Sequence, residues 1–172
     1  QFLARGPGYN IFLTPTEAVL SLPRAAGRGK LSGVRMQLVG GAADPKIEGL
    51  DALPGTVNYF RGSNAASWQT KVRTYQRVQY SGVYPGVDLV YYGQRQQLEY
   101  DFVVAPGTDP RTIKLAFAGV EQTTVDAQGD LVLKAAGGPP LHFQKPVIFQ
   151  IDGGRRRIVE GGYVHRTAQQ IG

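Results

Sequence analysis

The sequence predicts an all-β protein, an antiparallel β-sandwich of many short strands with at most one or two short helical turns. Three observations carry this. Apolar and polar residues alternate along the chain, the period-two pattern of strands with one buried face. The 172 residues include 23 Gly and 11 Pro, a density of turn formers that leaves little room for long helices. Nine Tyr, seven Phe and one Trp stand against a single Met, and aromatic residues favour strands.

Taken in order, Tyr9 to Leu13 reads as the first strand. Thr16 to Leu22 follows, with Ala18, Leu20 and Leu22 on one face. Arg24 to Gly33 is a basic, Gly-rich loop, and Val34 to Val39 alternates cleanly. Lys46 to Gly49 is a short strand, and Thr56 to Phe60 follows a turn at Pro54-Gly55. Gly62 to Trp68 reads as a loop or a single helical turn, with Ser63 or Asn64 as its cap. Tyr75 to Tyr80 alternates again. Val87 to Tyr92 and Gln97 to Val104 flank Gly93-Gln94-Arg95-Gln96, a hairpin signature.

Ala105 to Pro110 breaks the pattern, and strands are expected at Thr112 to Phe117 and Glu121 to Asp126. A turn at Asp126 to Asp130 leads to Leu131 to Lys134, and a second at Gly137 to Pro140 leads to Leu141 to Gln144. Pro146 to Asp152, Arg155 to Glu160 and Gly162 to Arg166 complete the series. These are about fourteen strands at intervals of about 12 residues, the rhythm of a sandwich or barrel. Phe12, Leu38, Tyr59, Val90, Tyr100, Phe102, Leu115 and Phe117 are its expected core. No linker divides the chain and no exact repeat is visible, so residues 1–172 read as one domain.

Composition narrows the function. The chain lacks Cys, which excludes disulfides and thiolate metal sites. It contains no apolar run long enough for a transmembrane helix. The opening Gln1-Phe2-Leu3 has neither an initiator Met nor a signal peptide and reads as a piece of a longer protein. Nineteen Lys and Arg against 13 Asp and Glu give a net charge of +6. The basic residues are scattered, and no nucleic-acid motif accompanies them, so nucleic acid is not a favoured partner. The one tight cluster, Arg155-Arg156-Arg157, follows a hairpin turn at Asp152-Gly153-Gly154 and reads as a solvated edge strand.

The polar and aromatic residues between Tyr75 and Asp101 form the densest candidate site. Glu99 and Asp101 share a strand face, about 7 Å apart at that spacing. That separation suits a glycosidase carboxylate pair. The alternation Leu98-Glu99-Tyr100-Asp101-Phe102 more simply turns both carboxylates to solvent. Asp88 is expected on the neighbouring strand. Trp68, Tyr80, Tyr84, Tyr91, Tyr92 and Tyr100 offer stacking surfaces for a polysaccharide or filling for a core. Tyr91 and Tyr92 point to opposite faces, so one of them is the more exposed. The candidate ligand-binding set is therefore Trp68, Tyr84, Asp88, Tyr91, Tyr92, Glu99 and Asp101.

Asp126 to Asp130 has oxygen ligands at alternate positions but lacks the length and terminal Glu of a helical calcium loop, so it reads as a hairpin turn. His142 and His165 have no second ligand at metal spacing. No Ser sits in a Gly-x-Ser-x-Gly setting, and neither Gly6-Pro7-Gly8 nor Gly40-Gly41 has the Lys and Ser/Thr of a phosphate loop. No catalytic residue, metal or cofactor is assigned.

Several blocks together resemble a known family. They run from Phe2-Leu3-Ala4-Arg5-Gly6-Pro7-Gly8-Tyr9 through Leu13-Thr14-Pro15-Thr16-Glu17-Ala18-Val19 to Asn58-Tyr59-Phe60 with Trp68. Tyr75, Tyr80, Tyr84-Pro85-Gly86-Val87-Asp88-Leu89-Val90-Tyr91-Tyr92-Gly93 and Leu98-Glu99-Tyr100-Asp101-Phe102 follow, with Gly129-Asp130-Leu131 and Lys145-Pro146-Val147. The chain resembles the N-terminal domain of bacterial surface or secreted proteins that carry seven-bladed β-propeller (SBBP) repeats. The resemblance implies an exported protein, secreted or at the cell surface, with the propeller repeats of the same chain as partners. It implies no catalytic residue. The expected role is a non-catalytic module for adhesion, assembly or ligand presentation. A carbohydrate-binding module using exposed tyrosines is the first alternative and a glycan-active enzyme using the carboxylate pair the second.

Overall fold

The computed structural model describes residues 1–6, 8–22, 32–60, 62–94, 97–135, 139–167 and 169–172. The strands are β1 (Phe2–Gly6), β2 (Tyr9–Leu13), β3 (Glu17–Leu22), β4 (Ser32–Leu38), β5 (Lys46–Tyr59), β6 (Gln69–Tyr84), β7 (Val87–Gln94) and β8 (Gln97–Val104). They continue with β9 (Leu115–Ala118), β10 (Val120–Val125), β11 (Leu131–Ala135), β12 (Leu141–Phe143), β13 (Ile148–Asp152), β14 (Arg155–Val159), β15 (His165–Thr167) and β16 (Gln170–Ile171). Two single 3-10 turns, Ala65–Ser67 and Pro110–Thr112, are the only helix among the described residues. The fold is all-β, as the sequence predicts. No helix among the described residues is long and apolar enough to cross a membrane.

The strands fall into two compact units. The first comprises Leu3–Gly40 and Asp109–Gly172, the second Gly41–Thr108. In the first unit a seven-stranded sheet has the order β1-β2-β3-β4-β9-β16-β15. Its antiparallel register aligns Leu13, Ala18, Met36 and Phe117 in one row. Leu38, Leu115 and Ile171 form another. A three-stranded sheet, β10-β11-β12, buries Thr123, Leu131, Leu133 and Ala135. The two sheets of this unit meet where Phe117 packs edge-on against Phe143, ring centres 5.7 Å apart. A separate two-stranded ribbon, β13-β14, completes the unit.

The second unit is a four-stranded meander, β5-β6-β7-β8. One face buries Tyr80, Val87, Leu89 and Tyr91. Tyr80, Tyr91, Tyr100 and Phe102 form a chain of ring contacts with successive centres 5.6, 6.0 and 5.9 Å apart. β5 and β6 run on beyond β7 as a two-stranded arm, because β6 pairs with β7 only from Arg77 to Tyr84.

Several expectations are corrected. β1 and the turn at Pro110–Thr112 stand outside the expected elements, and Asp109 caps that turn by accepting from the Arg111 N–H. Pro54-Gly55 makes a bulge within a continuous β5, since the register shifts between Ala52 and Thr56. The strand expected from Thr112 begins at Leu115. The β7–β8 ladder closes at Gln94 and Gln97, so Gly93 and Gln94 are strand; Arg95 and Gln96 lie outside the described residues. Most of the Arg24–Gly33 loop and Gly137-Gly138 also lie outside them.

Of the expected core, Leu115 and Phe117 are buried. Leu38, Tyr100 and Phe102 are half-buried. Phe12 is half-buried while its neighbours Ile11 and Leu13 are the buried residues of β2. Val90 likewise alternates out of the core between Leu89 and Tyr91. Tyr59 is half-buried at the far end of β5.

Candidate functional site

The four-stranded meander brings four of the candidate residues onto one face. The register places Arg77, Tyr92 and Glu99 in one cross-strand row and Gln79, Val90 and Asp101 in the next. The buried face takes Leu89 and Tyr91, so alternation turns Asp88, Val90 and Tyr92 outward. Tyr92 is directly opposite Glu99, and its hydroxyl donates diagonally to Asp101 Oδ2 at 3.1 Å. Partial burial, the Asp101 carboxylate and Glu99 push the Tyr92 phenol up to about 12. It stays protonated and able to donate below that pH. The face is open to solvent: Asp101 is exposed, and Tyr92 and Glu99 are half-buried. Arg77 on the same row gives its Nε–H to Asp51 Oδ2 at 2.7 Å.

Asp88 serves the backbone instead. Its Oδ1 accepts the Gly82 N–H at 2.7 Å and its Oδ2 accepts from the Gln79 amide at 3.1 Å. Gly82 has φ +66, and the β6–β7 register shifts between Tyr80 and Tyr84. The carboxylate thus satisfies the N–H that the bulge takes out of the ladder.

Tyr84 and Tyr91 leave the candidate set. They are 4% and 5% exposed, so neither ring can stack on an outside ligand. Burial pushes the Tyr80 phenol up to about 12 and that of Tyr91 higher still. Trp68 stands apart from the Tyr92 face. It just precedes β6, nine residues before Arg77, or about 30 Å along a strand. There it packs edge-on against Phe60 at 5.1 Å and gives its indole N–H to the Gly62 carbonyl. Asn64 caps the adjacent 3-10 turn through the Ala66 N–H, as its sequence suggests.

Within the first unit, β12 carries His142 to the turn at Asp126–Asp130. The ligand atoms of Asp126, Asp130 and His142 lie within 4.8 Å of one another. Sequence reasoning missed this grouping because the β11–β12 register, which sets His142 opposite Val132, leaves no local mark. Asp126 Oδ1 already accepts the N–H groups of Gln128 and Asp130, and Asp130 Oδ1 accepts that of Lys145. One oxygen from each carboxylate and an imidazole nitrogen remain as the atoms able to bind a cation. The turn itself is the expected hairpin between β10 and β11. A shallow concavity of about 260 Å³ is lined by Gln122, Thr124, Val132, Lys134 and Pro140.

These features define an all-β protein of two compact units, with a polar tyrosine–carboxylate face on one and an exposed, arginine-bearing ribbon on the other. The family model described as "Domain of unknown function (DUF7948)" matches residues 1–172, and the chain belongs to that family. Comparison with curated proteins and with solved structures finds no match.

Proposed function

We propose that the chain is a non-catalytic interaction module of a secreted or cell-surface bacterial protein, serving adhesion, assembly or ligand presentation, with SBBP propeller repeats as companions in the same polypeptide. One observation supports it most. Apart from Val103, the exposed large apolar side chains among the described residues lie in two stretches, 53–68 and 147–164. The first holds Leu53, Val57, Phe60 and Trp68 on and beyond the β5–β6 arm; the second surrounds the β13–β14 ribbon. Apolar side chains gathered this way mark contact surfaces rather than scattered exposure. The test is protease treatment of intact cells carrying the tagged full-length protein. Loss of the tag supports the reading, and a tag protected until the cells are lysed overturns the location it assigns.

A second reading rests on the Tyr92 face. A half-buried tyrosine hydrogen-bonded to one of two neighbouring carboxylates, with Arg77 and Gln79 on adjoining rows, matches the chemistry of a flat saccharide-binding surface. Glycan-array binding that disappears in Tyr92→Ala, with thermal melting unchanged, supports this reading. An array at background level at every salt concentration overturns it.

A further inference from the structure

The β13–β14 ribbon carries large apolar side chains, yet every residue of β13 and four of the five in β14 are exposed. Its turn is Gly153-Gly154, with φ +54 and +79. Two consecutive left-handed residues make the two-residue hairpin loop whose twist matches the strands. In such a loop the closing pair, Asp152 and Arg155, exchanges both backbone hydrogen bonds. Alternation then makes Phe149–Ile158 and Ile151–Arg156 the non-hydrogen-bonded pairs. Two consequences follow. The N–H and C=O groups of Arg156 and Ile158 point away from β13, to the free edge of β14. The side chains of Phe149, Ile151, Arg156 and Ile158 share one face.

That face is apolar and uncovered. Ile151 is 65% and Ile158 64% exposed, and the Arg156 guanidinium lies 3.6 Å from the centre of the Phe149 ring. The opposite face carries Arg155 and Arg157 together with Ile148, Gln150, Asp152 and Val159. The nearby acidic groups are Asp152, opposite Arg155, and Glu160 beyond the strand end; none of the three arginines forms an ion pair among the described residues. The ribbon is a two-stranded sheet, so β14 has no second strand partner among the described residues.

We infer that the free edge of β14 accepts an extended, acidic segment of a partner polypeptide by strand addition. The partner's backbone hydrogen-bonds to Arg156 and Ile158. Its side chains on one face set carboxylates beside Arg155 and Arg157, and on the other an apolar residue beside Ile158 and a carboxylate beside Arg156. Backbone pairing supplies affinity, and the alternating pockets and charges supply the choice of partner. A third strand also extends a two-stranded ribbon toward the number that is stable in water. The inference rests on the interaction-module reading, because it names what one of the two exposed stretches binds.

The test uses hydrogen exchange and amide chemical shifts of the isotope-labelled 172-residue chain with three probes. These are an eight-residue peptide with Glu at every other position and Val or Ile between them save one further Glu to face Arg156, the same peptide with Lys for Glu, and vesicles containing anionic phospholipid. The expected result is slowed exchange at Arg156 and Ile158 with the acidic peptide alone. N-methylation of alternate peptide amides abolishes it, and the exposed double variant Arg155→Glu/Arg157→Glu weakens binding at least about tenfold. Absence of protection at millimolar acidic peptide overturns the inference. So does equal protection by the Lys peptide, or binding to vesicles without protection at Arg156 and Ile158. Failure here leaves the protease result on intact cells untouched, so the two readings fail separately.

Discussion

The meander β5–β8 and the ribbon β13–β14 are both built of antiparallel strands bearing large apolar side chains, with different outcomes. In β7 the alternation sorts Val87, Leu89 and Tyr91 into a core and Asp88, Val90 and Tyr92 onto a polar face. In β13–β14 the same rule sorts Phe149, Ile151 and Ile158 onto one face, and nothing among the described residues covers them. Alternation specifies which side chains travel together. Burial requires a second layer, and only the first region has its apolar row enclosed. The uncovered apolar row on the short ribbon is the feature on which the proposed interaction role rests.

This contrast is open to direct measurement. The largest effects belong to the enclosed rows. Phe117→Ala and Leu89→Ala, both at 1% exposure, are expected to lose about 3–5 and about 2–5 kcal/mol in urea unfolding. A loss below 1 kcal/mol at Leu89 would remove the basis of the comparison. Next is Asp88→Ala, which gives up the bond to the exposed Gly82 N–H and is expected to cost about 1 kcal/mol. Asp88→Asn, which keeps an acceptor, recovers part of that stability if the bulge is what the carboxylate holds.

Stability in alkali gives a third check. Tyr80 and Tyr92 rise from 10.0 to about 12 on folding, so between those values the folded chain holds protons that the unfolded chain has released. The contribution of these phenols to stability is full below pH 10 and is lost as pH rises toward 12. Spectroscopic titration of tyrosinate in Asp101→Asn is expected to show the Tyr92 phenol moving back toward its ordinary value. A smaller gain is expected from Thr123→Val. Thr123 Oγ1 is buried with no hydrogen-bond partner among the described residues, and replacing it with a methyl is worth up to about 1 kcal/mol. The smallest effect sharpens the contrast most: Ile151→Ala changes stability by less than about 0.5 kcal/mol, at most about a quarter of the Leu89→Ala loss.

The fold class was legible because the signals for it are local. Alternation in β7 and β8, the Asp-Gly-Gly turn before Arg155, the Asp126–Asp130 turn and the cap at Asn64 are all short-range features, and each appears as read. Pro54-Gly55 misleads because a Pro-Gly pair permits a turn or a bulge, and the pairing of β5 with β6 on both sides of it selects the bulge. β1 and the capped turn at Asp109 are too short to show a period of their own in the sequence.

The candidate site was legible in part. The outward direction of Glu99 and Asp101 follows from the residues between which they alternate, and the Tyr92 contact with Asp101 needs the cross-strand register. Tyr84 and Tyr91 look like ligand-stacking rings in the sequence because a tyrosine's composition is the same in a core and on a surface. The grouping of His142 with Asp126 and Asp130 depends on a hairpin register.

The sequence by itself determined the all-β class, the positions of most turns and which side chains share a strand face, because backbone geometry fixes those within a few residues. Only the tertiary structure decided which faces are enclosed, that the strands form two compact units, and that Asp88 holds a bulge. Those outcomes depend on strands distant in the chain meeting in register, and an alternating pattern is the same before and after its partner arrives.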